Sequence, residues 1–324
     1  VWGVLGILAM IGMSVVDYSF LKKMALPIFG VSYLLLWCVF VPGIGSSAKG
    51  ATRWVKIGPI QFQPSEIMKF ALILLLALYI SKFASKMKTF KYGIFFPACV
   101  VVLVCATTAL EKHMSGTIIL FLLGACMIFM SGASIKWIGG IAGTFGAAAL
   151  GIILFTDYTK ARIDAWLHPE LHLLDKGFQP YESLLAIGSG GLFGVGLGNS
   201  YQKHLWLPEP QNDFIFAIIG EETGFVGAAM VILLFIVMTW CMLMVAVQVR
   251  DRYITMALVC IAVWIVGQAF VNIGVVVSLL PVMGVPMPFV SAGGSSLIMC
   301  LGAAGVAISL MKEQPQVKAE NRIL

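Results

Sequence analysis

Acid-bearing positions crowd one short stretch of this sequence: Glu209 and Asp213, within Leu207-Pro208-Glu209-Pro210-Gln211-Asn212-Asp213-Phe214-Ile215-Phe216, and the Glu221-Glu222 pair that follows. Two prolines stiffen the segment, and it runs straight into apolar chain. A carboxylate at the edge of hydrocarbon is expensive and marks a functional site by default. Facing a cavity, it serves as a general base. Set against the first turn of a helix, it is an ordinary N-cap. For Asp213 the residues alone leave both readings open.

Cations stand elsewhere. Arg53 and Lys56 lie in the glycine-rich stretch Gly43 to Gln63, read as a loop, and Glu66 and Lys69 follow just after Pro64. Proline suits the first turn of a helix, and Glu66 then sits at its positive end. The i, i+3 spacing puts Glu66 and Lys69 on one face. They form either a structural ion pair or, with Arg53 and Lys56, a phosphate site, since guanidinium and ammonium groups suit phosphate by forked bonding and by point charge.

Other patterns are weaker. Gly188 to Gly198 carries glycine at 190, 194 and 198, which reads as close packing or a re-entrant turn. A nucleotide loop would need a preceding strand and an aqueous domain. Upstream, Gln179, Tyr181, Glu182 and Ser183 are polar groups suited to a cavity mouth. Pro286 to Ser296, with Ser291, Gly293 and Ser295, reads as irregular backbone, tolerated at membrane depth only where it is buried or lines a cavity. His168 and His172 have zinc-pair spacing, but Pro169 lies between them and no third ligand is evident. The seven cysteines all fall in apolar runs without CxxC spacing and read as packing residues.

The elements that must position these groups follow from composition. The chain has 324 residues, 60% hydrophobic and 11% charged, far from the roughly 25% charge of soluble domains. It reads as one all-α, polytopic membrane bundle over 1–324. Nine apolar segments are expected, at 1–16, 25–42, 64–80, 93–110, 116–130, 137–155, 213–249, 253–280 and 295–311. The seventh looks too long for one crossing, so its first part is expected at the interface. The segment 157–211 is the large loop, with re-entrant or interfacial helices. Putting the loops at 17–23, 82–91, 131–136 and 250–252 and the C-terminal tail on one side gives that side 12 of the 21 basic and 4 of the 15 acidic residues. That side faces the cytoplasm, and the acidic motif faces outward. The net charge of +6 is spread over these short loops, and no nucleic-acid partner is expected.

These residues identify a resemblance. Gly50-Ala51-Thr52-Arg53-Trp54, Phe62-Gln63-Pro64-Ser65-Glu66 with Lys69, Ala186 to Gly194, Leu207-Pro208-Glu209, Asp213-Phe214-Ile215-Phe216 with Gly220-Glu221-Glu222, and Pro288-Phe289-Val290-Ser291 with Gly293 to Ser296 resemble the SEDS family, the FtsW, RodA and SpoVE proteins of bacterial cell-wall synthesis. The resemblance covers essentially the whole chain, and Gly194 to Ser200 is more similar to the FtsW and SpoVE branch. The family's ten helices imply one further helix upstream of Val1. Departures are Glu182-Ser183 for the common Gln-Ser, Asn212 for Thr, Ala292 for Tyr, and a Glu111 to Thr117 loop without the usual aspartate.

The resemblance implies a peptidoglycan glycosyltransferase that polymerises lipid II at the outer face of the bacterial cytoplasmic membrane, with Asp213 as general base. Arg53, Lys56, Glu66, Lys69, Gln179, Ser183, Lys203, Glu209, Ser291, Gly293 and Ser295 are the expected substrate-binding residues. A divalent cation, Mg or Mn, on Glu209, Glu221 and Glu222 is part of the expectation, with no organic cofactor. Expected partners are lipid II, undecaprenyl-pyrophosphate-linked glycan, a class B penicillin-binding protein and other divisome or elongasome membrane proteins. A lipid II flippase and a non-catalytic divisome scaffold are the alternatives. The outward clustering of polar residues favours the enzyme over a transporter, which needs a polar path across the bilayer.

Overall fold

Long apolar runs leave the backbone no hydrogen-bond partner but itself, so they close into helices. In a computed structural model this holds throughout the residues described, which are 1–48, 51–58, 60–111, 113–134, 136–137, 139, 164–168, 171, 177–205, 207–208 and 210–312. Among the described residues the longer helices are α1 (Trp2–Ser14), α2 (Tyr18–Cys38), α3 (Pro64–Lys82), α4 (Phe96–Leu110), α5 (Met114–Met130), α6 (Phe178–Gly190), α7 (Ile215–Gln248), α8 (Arg252–Val276) and α9 (Gly294–Lys312). Six described helical spans are long and apolar enough to cross a membrane: α2, α3, α4 with the wide turn at Lys91–Phe95 before it, α7, α8 and α9. Helices α1 and α5 are apolar but shorter. The expected sixth segment lies mostly outside the described residues.

One expectation fails. Gly43 to Gln63 is not simply a loop: β1 (Gly45–Ala48), β2 (Ala51–Ile57) and β3 (Ile60–Phe62) form an antiparallel sheet in the order β1-β2-β3. The run Thr52-Arg53-Trp54-Val55-Lys56 alternates as a strand does, and Gly58 (φ 60°) follows at the end of β2. The glycines and charges hid that signal.

The chain divides into two compact units: 1–139, 239–265 and 294–324 in the first, and 140–238 and 266–293 in the second. In the first unit α3 is buried nearly all round, as a helix apolar on every face must be. Its N-cap is Gln63, with Pro64 in the first turn. Helices α1 and α9 approach so closely that a Cβ on Gly305 would meet the Met10 carbonyl at 2.3 Å, and the Ser309 hydroxyl donates to the Val16 carbonyl. In the second unit α7 breaks at Gly224 (φ 67°, ψ −168°). The over-long seventh segment is thus two helical pieces, the first ending beside the 190–196 turn.

Candidate active site

The first unit gathers Arg53 and Lys69 about a buried acid, Glu66, and a histidine. Glu66 and Lys69 face one another across one helical turn, Nζ to Oε1 2.8 Å, and both are almost fully buried. Lys69 Nζ also lies 5.1 Å from the centre of the Trp264 ring, a geometry that stabilises a desolvated cation. Glu66 Oε2 and the Nε of half-buried Arg53 are buried without a hydrogen-bond partner among the described residues. Unmet polar atoms of opposite sign are what a site built for a polar ligand leaves behind. Lys56 lies exposed on β2. His113 and Glu111 occupy the turn between α4 and α5. Burial, with Arg53 and Lys69 nearby, brings the His113 imidazole down to about 3. Burial alone pushes the Glu111 carboxyl up to about 8.

The second unit holds Asp213 on a shelf of irregular backbone. Asp213 is half-buried, two residues before α7 starts. Its own carbonyl accepts from Asn272 Nδ2 at 2.7 Å, and the same amide reaches the Val285 carbonyl at 2.7 Å. The neighbouring carbonyls are held too. Ser291 Oγ donates to Asn212 at 2.5 Å, and the Ala292 N–H donates to Gln211 at 2.9 Å. Ser291 Oγ in turn accepts from the Met287 N–H at 2.7 Å. The carboxylate lies over Gly284 (φ 63°), where a Cβ would stand 3.2 Å from Oδ2. Phe289 (φ 64°) sits in the left-handed region, which is strained for an aromatic residue and is tolerated where surrounding structure fixes it, often at functional sites.

The glycine segment braces this shelf. A Cβ on Gly190 would meet the Gly220 carbonyl at 2.0 Å, and one on Gly194 would meet the Glu222 carbonyl at 2.2 Å. The Val195 and Gly196 N–H groups donate to the Glu221 and Glu222 carbonyls at 3.0 and 3.1 Å. The spacing signalled close packing, but against α7 through a turn rather than as a continuing helix. Beside it lies an apolar cavity of about 570 Å³ whose lining includes Ile187, Phe216, Gly220, Leu233, Ile273 and Val277. Phe216 is three residues from Asp213 in sequence, and Ile273 follows Asn272.

The remaining expected site residues are placed as follows. Glu221 is buried, accepting from Ser200 Oγ at 2.5 Å and the Tyr201 N–H at 2.9 Å. Glu222 pairs with Lys203 at 2.7 Å, so this lysine already has a carboxylate partner. Ser183 is fully buried and its hydroxyl bridges the carbonyls of Pro180 and Val276, both at 2.8 Å. It pins α6 to the end of α8, where the Val276 carbonyl is among the last four without an intrahelical partner, and does not face a cavity mouth as expected. Gln179 is half-buried in the first turn of α6; Gly293 and Ser295 are half-buried around the start of α9. Glu209 lies outside the described residues. Among the described residues no three His, Cys, Asp or Glu come together as a metal site, and Glu221 and Glu222 have protein partners. No step below is routed through a metal.

Sequence reasoning passed over Asn272 and Gln268. Gln268 is buried in α8 and donates to the Pro286 carbonyl at 2.9 Å. Amides inside an apolar segment were the available signal.

Comparison with known proteins identifies the family. The family model described as "Cell cycle protein", that of the FtsW, RodA and SpoVE proteins, matches residues 1–316. A probable peptidoglycan glycosyltransferase FtsW from a Geobacter species is 39% identical, over 94% of this chain and 84% of its own length. Stage V sporulation protein E of Bacillus subtilis is 38% identical, over 95% and 84%. Among solved structures, a chain of a peptidoglycan synthase complex in which polymerization and crosslinking are coordinated superposes with TM-score 0.81 at 26% identity, covering 96% of this chain and 88% of that one. The Rod shape determining protein RodA of Thermus thermophilus gives 0.70 at 26%, covering 97% and 86%.

Proposed function

From the premise that this chain belongs to the FtsW, RodA and SpoVE family, we propose that it is a peptidoglycan glycosyltransferase that polymerises lipid II, with Asp213 as the general base. The observation that carries the reading is the shelf. Four hydrogen bonds fix the backbone carbonyls at 211, 212, 213 and 285, and the carboxylate lies over a glycine that leaves room beside it. A half-buried carboxylate held in this way is suited to take a proton from a sugar hydroxyl.

In the reaction, the 4-hydroxyl oxygen of one sugar bonds to the anomeric carbon of another. Its proton passes to Asp213, and the bond from that carbon to the pyrophosphate oxygen breaks with its electron pair. Pyrophosphate leaves readily, so the second carboxylate of glycoside hydrolysis is not required. Cations absorb the developing charge of such a leaving group. The apolar cavity suits the polyprenyl chain of the carrier. The protein is a multi-pass membrane protein. The reading places it in the bacterial cytoplasmic membrane with Asp213 facing outward and a class B penicillin-binding protein as its partner.

The test is glycan synthesis from purified lipid II by the purified protein with that partner present. Polymer is the expected product. Movement of lipid II between the leaflets of sealed vesicles, with no polymer, would replace this reading with the transporter.

A further inference from the structure

The α4–α5 turn holds a histidine that no step above uses. His113 is buried, and its backbone is fixed on both sides. Its N–H donates to the Thr108 carbonyl at 3.1 Å, and its carbonyl accepts from the Thr117 N–H at 3.0 Å and Thr117 Oγ1 at 2.9 Å. The ring rests against Gly116, where a Cβ would come within 2.4 Å of Nδ1 and Cε1. From the other side, Ser65 Oγ lies 3.1 Å from Nδ1, and Gln63 Nε2 lies 3.1 Å from Nε2 and 3.2 Å from Nδ1. One neutral tautomer satisfies both: Nδ1–H donates to the Ser65 hydroxyl, and Nε2 accepts from the Gln63 amide. Gln63 and Ser65 flank Pro64 at the start of α3, the helix that carries Glu66 and Lys69.

We infer that His113 is a positioning residue, which as a neutral ring ties the start of α3 to the α4–α5 turn and so holds Lys69 and Arg53 as a cradle for the pyrophosphate of the lipid-linked substrate. Protonation would turn Nε2 into a donor facing the Gln63 amide and add a third positive charge beside the two cations. Burial, reinforced by the charges of Arg53 and Lys69, keeps the ring neutral. Gly116 supplies the seat, because any side chain there would push the ring off it. The inference rests on the glycosyltransferase reading for the identity of the anion alone; the linkage of the two segments stands on the distances.

The experiment measures KM and kcat for lipid II polymerisation in His113→Ala, His113→Gln and Gly116→Ala, with the Tm of each in detergent. Loss of a buried hydrogen-bonded anchor should raise KM about tenfold in His113→Ala while kcat stays within about threefold. Glutamine is neutral and offers both a donor and an acceptor, so His113→Gln should stay within about threefold of the wild type. Gly116→Ala, which deletes no polar group, should follow His113→Ala. Equal loss in the alanine and glutamine variants would make His113 a proton carrier and overturn the inference. So would an unchanged KM in His113→Ala. Should that variant fail to fold, Ser65→Ala, which removes the acceptor for Nδ1–H, is read in its place. A wild type that binds lipid II but makes no polymer would sink the polymerase reading instead. The same ordering is then expected in the dissociation constant for lipid II.

Discussion

Arg53, Glu66, Lys69 and His113 in the first unit and Asp213 in the second solve opposite electrostatic problems. The first group is charged and deeply placed, and it is balanced from within by an acid opposite Lys69, an aromatic face beneath it and a histidine held neutral. The second is a half-buried acid set on fixed backbone: carbonyls pinned by Asn272, Ser291 and Ala292, and a glycine beneath the carboxylate. The difference teaches how a membrane protein keeps costly groups. A permanent cation at depth needs a local counter-charge. A base needs a fixed position and freedom to change charge.

Breaking either region should give a different signature. The largest effect belongs to the acid. Asp213→Asn should lower glycan synthesis by about 10²–10⁴-fold, the usual contribution of a general base, with little change in Tm. Next comes Lys69→Met, which leaves Glu66 buried and unpaired. It should cost about 3–5 kcal/mol of stability as well as activity. The double variant Glu66→Gln with Lys69→Met should recover much of the Tm and none of the polymer, since the ion pair is replaceable and the cation is not. A double variant that regains activity would reduce the pair to structure. Gly190→Ala comes third. Its Cβ would meet the Gly220 carbonyl at 2.0 Å, and the forced shift should cost about 1–3 kcal/mol in Tm measurements.

A subtler difference lies in pH. The Glu111 carboxyl is buried, with no partner among the described residues for either oxygen, and burial pushes it from 4.5 to about 8. The folded protein then keeps a proton that the unfolded chain releases, so this group lowers stability as pH rises from about 4.5 to about 8. The Tm advantage of Glu111→Gln should grow across that window and level off above it. His113 slopes the other way. With its pKa lowered from 6.5 to about 3, its contribution is present above 6.5 and is lost as pH falls toward 3. The smallest effect is Lys203→Ala, whose partly exposed pair with Glu222 should be worth about 0.2–1 kcal/mol.

Local rules made part of this legible in advance. Pro64 announced the start of α3, and the i, i+3 spacing announced the Glu66–Lys69 pair. The acid at the membrane edge singled out Asp213 as a candidate. What stayed hidden depends on distant partners. Asn272 meets the Asp213 carbonyl across 59 residues, and Ser183 meets Val276 across 93; neither pairing leaves a periodic trace. The excess length of the seventh segment was visible, but its break at Gly224 depends on contact with the turn at 192–194. The sheet at 45–62 was readable by alternation and was masked by its glycines. His113 stood in plain view as part of a departing loop, with nothing local to show that Gln63 and Ser65 close on it.

The central claim is that Asp213 acts on the proton and not on binding. Purified Asp213→Asn and wild-type protein should be compared side by side for lipid II affinity and for glycan strands made with the partner transpeptidase present. The account predicts affinity within about threefold and no detectable polymer, because a base acts in the transition state and not in the ground state. Polymer at near wild-type rate from Asp213→Asn would contradict it.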